Sequence, residues 1–343
     1  MIEIKHHFSL KEHNTFRISA FAKAYTATTS LQQLKEALGY YSDQDVFLLG
    51  GGSNMLLIND VPKPVIHVLL NGIEVVKESQ ENVWIKVMAG ENWHDFVLYC
   101  MDKNLAGIEN LSLIPGNAGT SPIQNIGAYG VELKDTFHSC EVVDLKTLKE
   151  KTLSLKDCNF GYRDSIFKNE ALGKYVITSV TFKLTDLNKT DNYQFKTEYG
   201  AIQGELAKTV GKVTIQKISQ AVIQIRSSKL PDPKIIGNSG SFFKNPVIEK
   251  TKYEDLLRMH PEMPSYPVDE NYVKIPAGWL IDQSGFKGKR YGDAGVHDKQ
   301  ALVLVNHGNA TGQEILELAH KIQKAVQNRY GIKIDTEVNL IDQ

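Results

Sequence analysis

Residues 107–132 read GIENLSLIPGNAGTSPIQNIGAYGVE. Five glycines, two prolines and three asparagines break any regular helix or strand here, yet Leu111, Leu113, Ile114, Ile123 and Ile126 thread the run with apolar side chains. A linker would not be so apolar. Glycine lets a backbone approach a ligand closely, take positive φ and leave its N–H unshielded as a donor. The stretch therefore reads as an ordered loop clamped on a bulky, partly apolar ligand; the same composition also suits a buried connection.

Short strands and helices surround it. Ser30 with Gln33 predicts a capped helix that Gly39 closes. Residues 46–49 form a predicted strand running into Gly50, Gly51, Gly52, Ser53 and Asn54, with a second strand at 55–58. No helix follows this loop, so it is neither a Rossmann fingerprint nor a Walker loop, and alone it would serve as a hairpin turn. Pro62 and Pro64 mark a boundary. Strands are expected at 65–70 and 83–88, then a helix over 93–105 whose Trp93, Phe96, Val97, Cys100 and Met101 share a core face. Further strands follow at 140–145, 175–184 and 301–305, with an amphipathic helix at 213–226 (Ile215, Ile218, Val222, Ile225). Thr311 and Glu314 form a capping box for a helix over 312–330 carrying Ile315, Leu318, Ile322 and Val326, ended by Gly331. This alternation is α+β.

Composition excludes several functions. The 343 residues suffice for two or three domains, and 42% apolar with 23% charged residues is ordinary for a globular protein. Lys+Arg 39 against Asp+Glu 40 leaves a net charge of −1, so no field for nucleic acid is present and an anionic ligand needs local cations. No run reaches the roughly 18–20 apolar residues of a membrane span, and the first residues lack a signal-peptide core. Cys100, Cys140 and Cys158 are odd in number and form no CxxC, which reads as free thiols in a reducing cytosol. The sequons at Asn110, Asn188 and Asn309 carry no meaning there.

Two further motifs carry candidate chemistry. Residues 237–246 read GNSGSFFKNP; neither serine lies in a GxSxG elbow, so a hydrolase nucleophile is not indicated. Residues 160–165 read FGYRDS, where an arginine beside an aspartate would ordinarily be a surface ion pair. His297, three residues before Gln300, lacks a partner at ligand spacing and reads as structural rather than metal-binding.

Taken together, LGGGSNML at 49–56, the 107–132 run, YRDSIFK at 162–168 and GNSGSFFKNP resemble the MurB family, the FAD-dependent UDP-N-acetylenolpyruvoylglucosamine reductases. The resemblance extends from Asn14-Thr15-Phe16 to Glu337-Val338, nearly the whole chain. It implies a flavin fold of the vanillyl-alcohol-oxidase (PCMH) type, two α+β subdomains at 1–70 and 71–228, and a substrate-binding α+β domain at 229–343 whose final strand can return to the flavin domains. Non-covalent FAD would lie on Gly50, Gly51, Gly52, Ser53 and Asn54, and on Pro115, Gly116, Gly119, Thr120, Ser121, Pro122, Ile123, Gln124, Asn125, Ile126, Gly127, Ala128, Tyr129 and Gly130. NADPH would reduce the flavin, and a single site would take nicotinamide and substrate in turn. Hydride would pass from flavin N5 to C3 of the enolpyruvyl ether, with the proton at C2 coming from Ser241. Arg163 would face the substrate carboxylate, and Glu337 would orient the substrate or polarise the groups around C2. Tyr199, in the polar segment 191–204, would close over the substrate, as in one subtype of the family; Lys229, Asn245, Tyr266, Lys287 and Gln300 would hold its UDP part. One departure stands out: Asn339 occupies a position where the family commonly has arginine, a cation that Arg290 or Lys289 could replace. The small-molecule substrate would be the partner, and the protein a cytoplasmic monomer without nucleic acid or membrane. Two other readings are a sugar or alcohol oxidase on the same flavin fold, and a UDP-sugar or flavin-binding module without turnover. The GGGSN loop has no histidine or cysteine for tethering flavin, and Arg163, Ser241 and Glu337 are all present.

Overall fold

The computed structural model describes residues 2–342, and the chain forms two compact units. The first comprises residues 2–8, Ala22–Gly51 and Pro62–Ser228; the second comprises Ser9–Phe21, Gly52–Val61 and residues 229–342.

In the first unit a four-stranded sheet runs in the order Lys5–Ser9, Phe21–Thr28, Val61–Val68, Phe47–Leu49. Phe47–Leu49 lies parallel to Val61–Val68, with Phe47 opposite Val65. Pro62 and Pro64 sit inside the strand Val61–Val68, ahead of the residues that pair with Phe47–Leu49, and the division of the chain into its two units falls, as expected, at this point, between Val61 and Pro62. The helix Leu31–Tyr40 buries Leu34, Ala37 and Leu38 against Ile66 and Val68. Ser30 caps it by accepting from Gln33 N at 3.2 Å, but Gly39 does not close it: Tyr41 donates to Ala37 O and ends the helix one residue past Tyr40.

The larger sheet of this unit is antiparallel, ordered Glu150–Ser154, Phe137–Asp144, Tyr175–Asp186, Asn82–Met88, Ile73–Glu78, with Leu105–Ala106 added to the end of Tyr175–Asp186. Alternation places Val83, Ile85 and Val87 inside. Against them lies the helix Trp93–Asp102, capped by Asn92 and burying the expected face, Trp93, Phe96, Val97, Cys100 and Met101. It stops before residue 105 because Asn104 turns left-handed at φ 56°. Trp93 and Phe96 meet Phe182 with ring centroids 5.7 and 5.4 Å apart. Truncating Phe182 there costs on the order of 3–5 kcal/mol. The helix Ile215–Lys229 runs three residues beyond its expected end, and the segment around 191–204, expected as a polar loop, closes in a helix, Gly200–Leu206.

In the second unit the antiparallel order is Gly237–Ser241, Val303–Asn306, Ala294–Val296, Arg290–Tyr291, with the helix Gly312–Tyr330 buried against it through Ile315, Leu318, Ile322 and Val326. The Thr311–Glu314 capping box and the left-handed Gly331 (φ 62°) bound that helix as expected. A three-stranded sheet of Val247–Glu249, Tyr272–Lys274 and Tyr266–Pro267 follows. The last strand, Asn339–Ile341, pairs in parallel with Met55–Leu57. Residues 14–16 are sewn into this unit: Asn238 N donates to Thr15 O (2.9 Å), and Asn306 Nδ2 to Phe16 O (2.9 Å).

Candidate active site

The central run is irregular but held. It contains two 3-10 turns, Glu109–Leu111 and Ala118–Thr120, and a two-residue ladder of Gly127–Ala128 with Val131–Glu132. Leu113 (φ 58°), Asn125 (43°) and Tyr129 (52°) are left-handed without being glycine. Such conformations persist only where surrounding structure enforces them, which argues against a slack connection. Ala118, Gly119, Thr120, Ser121, Ile123, Asn125 and Ile126 donate their N–H groups to carbonyls within the unit. What those residues offer a ligand is surface and side chain rather than bare donors. Ile114, Ile123 and Ala128 are partly buried there, an apolar margin of the unit's core.

The Gly50–Asn54 loop is not a hairpin turn. Its flanking strands pair elsewhere, Phe47–Leu49 with Val61–Val68 and Met55–Leu57 with Asn339–Ile341. Within the first unit a Cβ on Gly51 would stand 2.8 Å from Gly116 Cα and 2.8 Å from Asn117 Oδ1. Two glycine-rich stretches therefore meet with room for nothing larger. Backbone approach of this kind, beside a partly apolar margin, fits a flat dinucleotide with an anionic bridge.

Residues 160–168 are stitched to this run. Asn159 turns left-handed at the end of the helix Leu155–Cys158, and Gly161 and Asp164 then exchange hydrogen bonds of 3.0 and 3.3 Å, placing Tyr162 and Arg163 at the tip of a tight turn. Asn125 Nδ2 donates to Gly161 O (3.0 Å), Ser165 Oγ to Ile123 O (2.6 Å), and Arg163 Nη2 to Gly127 O (2.6 Å). Arg163 is itself left-handed, φ 54°. It is a held residue on the glycine-rich run, not a loose surface ion pair.

A second arginine, missed in the sequence, belongs to the same cluster. Arg226 Nε donates to Leu113 O (3.1 Å), while Leu113 N donates to His94 Nδ1 (2.9 Å). Burial holds the guanidinium below the ordinary arginine value; the hydrogen-bonded Tyr129 opposes this and the Arg163 charge adds to it. Burial likewise raises the Tyr129 hydroxyl. Tyr199, half exposed, stands edge-on to Tyr129 with centroids 5.2 Å apart. Two cations near each other beside tyrosines suit an anionic, planar group. In the sequence Arg226 looks like any polar position on an amphipathic helix; only tertiary structure reveals its partners.

In the second unit, Glu337 N donates to Phe242 O (2.8 Å) and Phe243 bridges Thr336, so Ser241 and Glu337 lie on adjoining segments. Phe242 and Phe243 are fully buried and anchor the segment, and Gly240 precedes Ser241 at φ 69°. Ser239, by contrast, is buried against Thr15 Oγ1 (3.2 Å) and Met55 O (3.2 Å), a structural position. Asn245 Oδ1 accepts from Ala277 N (2.9 Å), and Gln300 Oε1 from Leu302 N (3.3 Å). Lys287 pairs with Asp282 (3.0 Å), Tyr266 is exposed opposite Lys274, and Lys229 is the exposed last residue of its helix. His297 accepts from Lys299 N through Nδ1 and pairs with Asp298 (3.3 Å). Among the described residues no group of three histidine, cysteine or acidic side chains could hold a metal, and no helix is long and apolar enough to cross a membrane.

Residues 22–147 match the FAD binding domain family, and residues 232–341 match the C-terminal domain of UDP-N-acetylenolpyruvoylglucosamine reductase. The UDP-N-acetylenolpyruvoylglucosamine reductase of Flavobacterium johnsoniae is 55% identical over 341 residues, 99% of this chain and 100% of the relative. The chain belongs to the MurB family. That of Bacteroides fragilis is 43% identical over 335 residues, 97% of this chain and 99% of the relative. Among solved structures, MurB from Thermus caldophilus superposes with a TM-score of 0.67 at 23% identity, covering 99% of this chain and 98% of that one. The fold is thus the α+β MurB fold, with the flavin-binding architecture of the vanillyl-alcohol-oxidase type. Asn339 donates through its amide to Asn54 O (2.8 Å). Arg290 pairs with Asp293 (2.6 Å) and donates to Gly292 O (2.7 Å).

Proposed function

We propose that the protein reduces UDP-N-acetylglucosamine enolpyruvate to UDP-N-acetylmuramate, the reaction for peptidoglycan precursors, with FAD as cofactor and NADPH as reductant. FAD, when bound and reduced by NADPH, would supply the hydride that reaches C3 of the enolpyruvyl group. Residues 50–54, 115–116 and 119–130 would hold it, and residues 1–70 and 71–228 serve as its two binding halves, with 229–343 for the substrate. Ser241 Oγ gives its proton to C2. Hydride addition leaves negative charge at C2, spread into the carboxylate, and a hydroxyl held in place is acid enough to quench so basic a centre. Arg163 stabilises that charge with a planar, permanently charged fork. Glu337 keeps the proton donor and substrate oriented. Arg226, joined to Tyr129, adds the second cation; Tyr199, Lys229, Asn245, Tyr266, Lys287 and Gln300 bind the rest of the substrate. The protein works as a cytoplasmic monomer; its net charge of −1 gives no field for nucleic acid.

The observation that supports this reading is the bond from Glu337 N to Phe242 O (2.8 Å), which joins the segment bearing Ser241 to the segment bearing Glu337. The test is an anaerobic half-reaction. The yellow protein is reduced with one equivalent of NADPH, UDP-N-acetylglucosamine enolpyruvate is added, and flavin absorbance is followed. Prompt return of the oxidised spectrum supports the reading. Reduced flavin that persists until air is admitted overturns the substrate assignment.

A further inference from the structure

The 3-10 turn Glu109–Leu111 carries two buried polar side chains that the reaction itself does not use. Both face the segment that bears Tyr199. Glu109, 1% exposed, accepts from Tyr193 Oη at 2.7 Å and from Gly107 N at 2.7 Å. Asn110, also 1% exposed, donates through Nδ2 to Lys196 O (2.9 Å) and to Tyr129 O (3.1 Å). One amide thus ties the backbone of Tyr129 to the backbone three residues before Tyr199, and those two rings stand edge-on at 5.2 Å. Beyond Tyr199, Ile202 is fully buried in a small core with Val222 and Ile225. The segment is gripped on both sides of a tyrosine that remains half exposed.

Burying a carboxylate and an amide in an irregular turn is costly unless they are well bonded. Asn110 Oδ1 is buried and has no hydrogen-bond partner among the described residues, so its pose serves its two donations and leaves its own acceptor unmet. A fold that only needed to close this turn could do so with apolar side chains.

We infer that Glu109 and Asn110 are positioning residues for Tyr199: through Tyr193 and Lys196 they set where its ring stands, and through Tyr129 they couple it to the glycine-rich run. The inference rests on the reading that Tyr199 contacts the substrate.

The test begins with Tyr193→Phe, which removes one hydroxyl. The expected result is a rise of about tenfold in KM for UDP-N-acetylglucosamine enolpyruvate, with anaerobic flavin reduction by NADPH unchanged. Asn110→Ala should act in the same direction. In a Tyr199→Ala background, Tyr193→Phe should add nothing, because the residue it acts through is gone. The inference is overturned if Tyr199→Ala raises KM while Tyr193→Phe does not, or if Tyr193→Phe slows flavin reduction and reoxidation equally. It is also overturned if the two substitutions multiply independently. A Tyr199→Ala variant with unchanged KM removes the reading of Tyr199 itself, and the positioning role with it.

Discussion

Arg163 Nη2 donates to the carbonyl oxygen of Gly127 at 2.6 Å, fastening the guanidinium to the glycine-rich run. One edge of the planar fork is thereby spoken for, and its direction is set before any substrate arrives. Arg163→Lys keeps the charge but loses this geometry. Reoxidation of reduced flavin by the enolpyruvyl substrate should slow by about 10²–10³-fold, with reduction by NADPH nearly intact; stopped-flow absorbance separates the halves.

Gly127 is small for a reason that lies across the same bond. A Cβ there would stand 3.0 Å from Arg163 Nη1 and 3.1 Å from Val131 O. Gly127→Ala should displace the guanidinium and lower kcat, at a stability cost of about 1–3 kcal/mol. A thermal melt alongside the rate checks this: a large rate loss with a small Tm shift is expected.

Ser241→Ala removes only the proposed proton source. Flavin reduction by NADPH should continue at its normal rate while reoxidation by substrate collapses. Equal slowing of both half-reactions would refute the general-acid role.

Gly51→Ala tests the close approach of the two glycine-rich stretches. The added Cβ would stand 2.8 Å from Gly116 Cα, which is backbone and cannot swing aside. The expected outcome is loss of bound flavin on gel filtration, read as the absorbance ratio of flavin to protein, with the circular-dichroism spectrum retained.

His94 gives a pH dependence. Burial lowers its value, partly opposed by Asp95 and helped by the Arg226 charge, and its Nδ1 must stay unprotonated to accept from Leu113 N. The unfolded chain therefore binds the proton first, near the ordinary histidine value of about 6.5. Stability from this group is complete above that pH and is lost as pH falls toward the lowered folded value. His13, His297 and His307 are lowered by burial too, so they share the acid-side decline. His94→Gln should flatten only part of the slope of Tm between pH 5 and 7, roughly the range histidines titrate in.

Local chemistry was legible where it decides structure locally. The Thr311–Glu314 box, the left-handed Gly331 and the Trp93–Met101 face follow from periodicity and capping alone. Gly39 misled because a helix can carry a glycine inside it when the next turn still finds its carbonyl, as Tyr41 does with Ala37. Arg226 was invisible because nothing about its spacing distinguishes an arginine facing solvent from one bound to Leu113 O and Tyr129. Asn110 hid in a sequon, and its meaning lies 86 residues away at Lys196. The resemblance nominated Arg163, Ser241 and Glu337 as candidates; tertiary structure shows the backbone and side-chain bonds around them.

The parallel pairing of Met55–Leu57 with Asn339–Ile341 has a consequence for biosynthesis. Asn54 and Asn339, joined at 2.8 Å, are 285 residues apart. At a translation rate of about 5–20 residues per second, the early strand would wait roughly 15–60 s for its neighbour. Met55, Leu56 and Leu57 are all buried in the finished protein. On the ribosome they are an unpaired apolar edge for that whole interval, the kind of segment that holdase chaperones shield and that aggregates when synthesis stalls.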